Sequence, residues 1–368
     1  MTARLCLNMI VKDEAHVIER CLRSVLPIID SWAIVDTGST DGTQDVIRRV
    51  LADVPGELFE RPWRDFGANR SEAITLAGDR AAYLLFIDAD DSLELPAGYE
   101  LPDLTAPAYR LEFVHGASRY RRICLVRADL PWRFEGVLHE YPTCDRAVDN
   151  VDLDGPRIIF NSGGGRSAIG QKAKYARDVS ILTDALRADP DNARNVFYLA
   201  QSYRDAGDAA RAIKTYQRRI DLGGWEEEVF YSHLQIAQLS EGLGRDYAIV
   251  VERYLQAFQY RPTRAEPLMN LARYHRERAE WALALLFARQ AKDMPRPDDI
   301  LFVDDATYTW RSLDEFAIAA YWTGDYPAAR EACQQVLRAG HLPKEHLRRV
   351  VDNLNFSLQK LGLPSAVV

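Results

Sequence analysis

The sequence predicts an α/β mixed-sheet domain over residues 1–170 followed by an all-α domain of helical repeats over 171–368. Three observations carry this reading. Strand-like and helix-like segments alternate through the first half, the pattern of a sheet wound with crossover helices. The apolar run Tyr83-Leu84-Leu85-Phe86-Ile87 leads straight into Asp88-Ala89-Asp90-Asp91, which reads as a buried strand delivering acids into a crevice at its carboxyl end. After Lys172 no strand pattern survives, and helix pairs recur instead.

Composition bounds the function classes. With 368 residues, 47% hydrophobic and 27% charged, the chain suits two globular domains and not a disordered segment. A net charge of −8 argues against a nucleic-acid partner. The basic run Arg119-Tyr120-Arg121-Arg122 is either a solvated face or an anion contact. Cys6, Cys21, Cys124, Cys144 and Cys333 have no CxxC or CxH spacing, so reduced thiols in a cytoplasmic protein are expected, without zinc or a disulfide framework. No segment reads as a signal peptide or a membrane span.

In chain order, Leu5 to Val11 is a strand, and Val17, Ile18, Leu22, Val25 and Leu26 mark a helix closed by Pro27. Ser31 to Asp36 is a second strand. Thr37-Gly38-Ser39-Thr40-Asp41-Gly42-Thr43 then opens a helix over Gln44 to Leu51, with Asp41 or Thr40 as its expected cap. A strand end, a Gly-rich turn and a helix start suit a phosphate-bearing nucleotide, although a plain capped turn has the same spacing. A third strand near 57–59 and a helix ending around Gly78 complete a β-α-β-α-β run. Arg70 on that helix is either a phosphate clamp or an exposed charge. Asp88-Ala89-Asp90 suits Mg²⁺ or Mn²⁺ bridged to phosphate, or else a solvated acidic turn.

Met9-Ile10-Val11-Lys12-Asp13-Glu14, Asp36-Thr37-Gly38-Ser39-Thr40-Asp41-Gly42-Thr43, Asn69-Arg70 and Asp88-Ala89-Asp90, in this order, resemble the blocks of family 2 glycosyltransferases with the GT-A fold. The resemblance implies nucleotide-sugar contacts from Val11, Lys12, Asp13, Asp36, Gly38, Arg70, Asp88 and Ala89. Asp36 would meet the base or ribose, Arg70 the phosphates, Asp88 the ribose side, and Asp90 the Mn²⁺ or Mg²⁺ ion. Lys12 stands where many members carry an aromatic beside the base, and Asn69-Arg70-Ser71 replaces a more usual Ala-Arg-Asn, so the base stays open.

Downstream lies Trp132-Arg133-Phe134-Glu135-Gly136-Val137-Leu138-His139-Glu140-Tyr141. The family's acceptor side and catalytic base fall at a comparable place, which implies Glu140 as base and His139 as a third metal ligand or an acceptor contact. The alternative is a core histidine beside a surface acid. Trp132 and Phe134 read either as a sugar-stacking platform or as core. Asn161-Ser162-Gly163-Gly164-Gly165-Arg166-Ser167 is a boundary loop. Asn161 and Ser162 stand where metal-dependent members often carry a further histidine ligand.

In the second half, aligning Leu199-Ala200, Ile236-Ala237, Leu271-Ala272 and Phe316-Ala317 also aligns the small residues Gly207, Gly244, Ala279 and Gly324. These are expected to let paired helices approach closely, helped by Ala212, Ala284 and Ala329; Ile249 breaks the series. The period resembles tetratricopeptide repeats of about 34 residues, with a loop inserted around Met294 to Thr307 and a capping helix over Lys344 to Leu361. Phe197 to Gly207 resembles the opening repeat of bacterial proteins that fuse such an array to a family 2 glycosyltransferase, relatives of peptide S-glycosyltransferases included.

These features imply a metal-dependent, inverting transferase of sugar from a nucleotide sugar, UDP-linked, to a protein, peptide or glycan acceptor. The repeats would serve acceptor binding or self-association. The alternative is a non-catalytic nucleotide-binding scaffold for protein interaction.

Overall fold

The computed structural model describes residues 4–115, 118–146, 149–161 and 171–366. The Gly-rich boundary loop lies outside them from Ser162 onward. The chain forms two compact units, Met1–Ala206 and Gly207–Val368. The last described strand ends at Ile159 and the helices run from Gln171; by packing the first unit extends through two of those helices.

The first unit is built on an eight-stranded mixed sheet in the order β3-β2-β1-β4-β7-β6-β10-β5. Its strands are β1 (Leu5–Val11), β2 (Ser31–Asp36), β3 (Gly56–Glu60), β4 (Tyr83–Phe86), β5 (Ser92–Glu94), β6 (Ala108–His115), β7 (Ser118–Arg127) and β10 (Asn150–Ile159). The first four pair in parallel, with β1 flanked by β2 and β4. β7 then runs antiparallel to β4 and β6. A separate ribbon joins β8 (Trp132–Glu135) to β9 (Tyr141–Cys144). β1, β2 and β4 are buried nearly throughout, as their continuous apolar sequences require of strands covered on both faces.

Three crossover helices cover the parallel half: α1 (Ile18–Val25), α2 (Thr43–Val50) and α3 (Phe66–Ala77). Ile18, Cys21, Leu22 and Val25 are the buried stripe of α1, at helical spacing. The cap of α2 differs from expectation, being Gly42 at φ 92°. Asp41 is drawn elsewhere: its Oδ1 accepts from the Thr43 amide at 3.0 Å and its Oδ2 from the Ala15 amide at 2.9 Å. Asp65 caps α3 by accepting from the Ala68 amide at 2.7 Å. Two further helices, α4 (Gln171–Ala188) and α5 (Ala193–Asp205), complete the unit.

The second unit is entirely helical: α6 (Ala209–Leu222), α7 (Glu226–Gly242), α8 (Tyr247–Tyr260), α9 (Glu266–Glu277), α10 (Trp281–Lys292), α11 (Ser312–Trp322), α12 (Tyr326–Ala339) and α13 (Lys344–Lys360). A π-helical turn, Thr307–Arg311, leads into α11. The expected loop separates α10 from it, and α13 packs Val350, Leu354 and Leu358 into the last core as a cap.

The repeated small residues have a different cause from the one expected. Gly207, Gly244, Ala279 and Gly324 all take left-handed backbone, at φ 83°, 64°, 57° and 87°. A Cβ added to any of the three glycines meets no atom within 4 Å. They are selected for the turn between helices and not for close helix approach. The next helix is entered through Asp208, Asp246, Glu280 or Asp325. The residue four beyond each entry is buried: Ala212, Val250, Ala284 and Ala329. Arg245 is an extra turn residue in the second repeat, which moves the buried position from the exposed Ile249 to Val250.

The inserted loop is tied down by charge. Arg264, fully buried, donates to Glu266 at 2.7 Å and to Asp299 at 3.0 Å, and Arg261 also binds Asp299. Among the described residues no helix is long and apolar enough to cross a membrane.

Candidate active site

The carboxyl ends of the parallel strands open into a cavity of about 500 Å³. Val11, Lys12, Asp13, Arg70, Asp88, Ala89, Asp90, His139 and Glu140 all line it. Residues far apart in the sequence therefore converge where strand-end chemistry requires.

The first wall is two interlocked turns. Asp13, at φ 55°, donates its amide to Ser39 Oγ at 2.9 Å and accepts from the Thr40 amide at 2.8 Å through Oδ1. The Glu14 amide donates to Thr43 Oγ1 at 2.8 Å. The small hydroxyls after β2 thus fix the backbone after β1, presenting Lys12, Asp13 and Glu14 to the cavity. Asp36 and Gly38 serve this wall from behind. Asp36 is fully buried, its Oδ1 accepts from the amides of Gly38 and Ser39 at 2.7 Å each, and Thr37 takes the lining position. Asp36 Oδ2 is buried with no hydrogen-bond partner.

The floor is acidic. Asp88, Ala89 and Asp90 follow β4, and the Asp91 amide donates to the Asp88 carbonyl at 3.1 Å, turning the chain sharply. Burial alone would raise the Asp88 carboxyl, but the charges of Arg70 and Arg122 hold it below the usual carboxylate range. Asp91 faces the opposite balance. Burial, then the charges of Asp88 and Asp90, push its carboxyl up to about 7, and Asp91 Oδ1 is buried without a hydrogen bond.

Arg70 ties the floor to the opposite wall. Its guanidinium pairs with Asp88, and its Nε donates to Glu140 Oε1 at 2.7 Å. Arg70 and Glu140 side chains are only 11% and 12% exposed, so this is a largely desolvated pair. The expected exposed-charge alternative for Arg70 does not hold; it bridges two carboxylates across 18 and 70 positions of sequence. α3 reaches this position by close approach. A Cβ at Gly67 would sit 2.6 Å from the Gly136 carbonyl oxygen, so glycine is required there. Asn69 supports the preceding loop, accepting from the Arg64 amide at 2.9 Å and donating to the Pro62 carbonyl at 3.1 Å.

Glu140 is neither surface acid nor isolated, and His139 is no core histidine: it is exposed on the cavity side. His139 takes φ 53° and stacks on Tyr198 of α5, with centroids 4.1 Å apart. Trp132 and Phe134 are core, 6% and 9% exposed, and Phe134 lies beneath the Arg70 guanidinium. The aromatic side chains that do line the cavity are Trp63, Phe66 and Phe160. Trp63 and Phe66 pack edge to face at 4.8 Å.

Arg122, Lys174, Arg177 and Ile181 also line the cavity, the last three from α4. Sequence reasoning offered Arg122 only as one member of a basic run and missed the α4 residues; basic residues spaced along one helix face after a Gly-rich loop were the available signal. Among the described residues no group of three or more His, Cys, Asp or Glu side chains is arranged to hold a metal ion. Asp90 lines the cavity beside the carboxylates of Asp13, Glu14, Asp88 and Glu140.

Residues 6–152 match the family model described as glycosyl transferase family 2. A TPR repeat-containing protein of Synechococcus elongatus is 29% identical over 311 residues, 78% of this chain and 75% of that protein. The SPbeta prophage-derived glycosyltransferase SunS of Bacillus subtilis is 24% identical over 233 residues, 60% of this chain and about half, 54%, of SunS. The solved structure of MamA superposes with a TM-score of 0.36 at 14% identity, covering 48% of this chain and 87% of that one, too loosely to add to the fold described above. The N-terminal part of the chain thus carries a family 2 glycosyl transferase domain, followed by helices in a tetratricopeptide-like pattern.

Proposed function

We propose that the chain is a glycosyltransferase that takes a nucleotide sugar, UDP-linked, into the strand-end cavity and passes the sugar to a protein, peptide or glycan acceptor. The observation that carries this reading is the convergence of Asp88, Asp90, Arg70 and Glu140 on one cavity next to the interlocked turns after β1 and β2. Asp36 stands behind this wall of turns and shapes it by accepting from the Gly38 and Ser39 amides, while Thr37 takes the lining position. Lys12, Arg122, Lys174 and Arg177 supply positive charge for the diphosphate.

Glu140 accepts the acceptor proton as the acceptor atom attacks the anomeric carbon, with inversion. Arg70 holds that carboxylate in place through Nε and leaves its second oxygen for the acceptor. His139 contributes to the acceptor side beside it. Asp90 would hold the divalent cation, Mn²⁺ or Mg²⁺; its single carboxylate fits, because such ions keep several water ligands and take the rest from substrate phosphates. When bound, that cation neutralises the leaving diphosphate. The helical unit, with Leu286 and Trp322 exposed at 60% and 58% on its helices and Ile300 at 81% on the inserted loop, offers a surface for a protein acceptor or for self-association. Five unpaired cysteines suit the cytoplasm.

The test is release of nucleoside diphosphate from UDP-, GDP- and TDP-sugars by the full chain, with Mn²⁺ and with EDTA. Metal-stimulated release from UDP-sugars alone supports the reading in full. Release from another donor corrects the base, and no release or binding from any donor leaves a non-catalytic scaffold.

A further inference from the structure

The turn that carries Glu140 has no regular structure of its own, yet it holds a carboxylate that the proposed reaction needs at one position. It lies between β8 and β9, and at its apex His139 takes a left-handed φ of 53°. A non-glycine residue rarely stays in that conformation unless its surroundings fix it. What fixes it comes from α5. Arg194 donates from its guanidinium to the His139 carbonyl at 2.6 Å, and the same group lies over the Tyr141 ring at 4.4 Å. Tyr198, one helical turn further along, stacks on the His139 ring at 4.1 Å with the planes 16° apart. Arg194 also lies over Tyr198 at 5.0 Å, so the two α5 side chains brace one another.

α5 is itself firmly placed. Asn192 caps it by accepting from the Asn195 amide at 3.0 Å, and Phe197, next to Tyr198, is fully buried. Residues 139 and 141 are therefore gripped from one side, while Glu140 between them is held from the other by Arg70.

We infer that Arg194 and Tyr198 are positioning residues, fixing the 139–141 turn so that Glu140 stands ready to take the acceptor proton. Neither residue touches the reacting atoms. The inference rests on the role proposed for Glu140, and it makes the opening helix of the repeat pattern part of the catalytic apparatus.

The test combines two measurements on the full chain with Tyr198→Ala, Tyr198→Phe and Arg194→Met. Hydrogen exchange reads the peptide spanning 136–142 with no need for turnover; steady-state release of UDP from the donor reads catalysis. Tyr198→Ala and Arg194→Met should speed exchange in that peptide at least about tenfold and leave 83–91 unchanged. They should lower kcat with little change in KM for the donor, while Tyr198→Phe restores both. Unchanged exchange at 136–142 overturns the inference, as does faster exchange with undiminished kcat, which would mean a purely structural brace. If the unaltered chain releases no UDP, the proposed reaction fails and the catalytic part of the inference with it, while the exchange data still judge the brace.

Discussion

Arg70 on α3 and Glu140, seventy positions later, are joined at 2.7 Å in a cavity wall where both side chains are nearly desolvated. The same guanidinium pairs with Asp88 after β4, so one side chain links the acidic floor of the cavity to the opposite wall. Replacing Arg70 by methionine removes the guanidinium that joins the two carboxylates and leaves Glu140 without its ion-pair partner. The expected result is a loss of about 3 kcal/mol of stability, read by urea unfolding, and about 10²-fold in turnover. Arg70→Lys should rescue little, because one ammonium cannot reproduce the forked contact.

Glu140→Gln separates charge from shape. The amide retains an oxygen to accept from Arg70 Nε, so the fold should survive with an unchanged unfolding midpoint. Turnover should fall by about 10²–10⁴-fold, the usual worth of a general base. Equal activity in this variant would remove Glu140 from the chemistry.

Ala279 is the odd member of the turn series, holding φ 57° with a side chain that the other three positions lack. Ala279→Gly should therefore stabilise the second unit by about 1 kcal/mol, and Gly244→Ala should destabilise it by a similar amount. Thermal unfolding of the two variants checks the pair of opposite signs.

The buried Arg264–Asp299 pair gives the helical unit a pH dependence. Hydrogen bonds from Arg261, then from Arg264, outweigh burial and hold the Asp299 carboxyl below its usual range. A folded-state pKa lowered in this way adds stability above the unfolded value, and that stability is lost as the pH falls through the folded one. Asp299→Asn should flatten the acid limb of the unfolding curve. Arg264→Met, which takes the guanidinium from the buried Glu266 and leaves Asp299 to Arg261, should cost about 3–5 kcal/mol at neutral pH.

The legible parts of this molecule were those with a local signature. β1, β2 and β4 are continuous apolar runs ending in polar residues, and their limits follow from that contrast. Asp88-Ala89-Asp90 is legible for the same reason, since a strand end fixes where its acids go. Asp36 was harder: the sequence shows an acid at a strand end but not that its side chain folds back onto the amides of Gly38 and Ser39. Trp63 and Phe160 reach the cavity only through the packing of distant elements, which no spacing encodes, whereas Lys174 and Arg177 had only their spacing along one helix as a signal. The small residues at helix turns were visible as a series, but a small side chain serves a left-handed turn and a tight helix contact equally well. Only the backbone angles separate the two.

In the proposed reaction the strand-end cavity binds a nucleotide through Asp90 and a divalent cation. Calorimetric titration of the full chain with UDP, in Mn²⁺ and in EDTA, beside Asp90→Asn, tests it most directly. The expected result is binding that Mn²⁺ tightens at least about tenfold in the unaltered chain, a coupling of about 1.4 kcal/mol that the variant lacks. Binding that is equal with and without metal, or no binding of UDP at all, would contradict it.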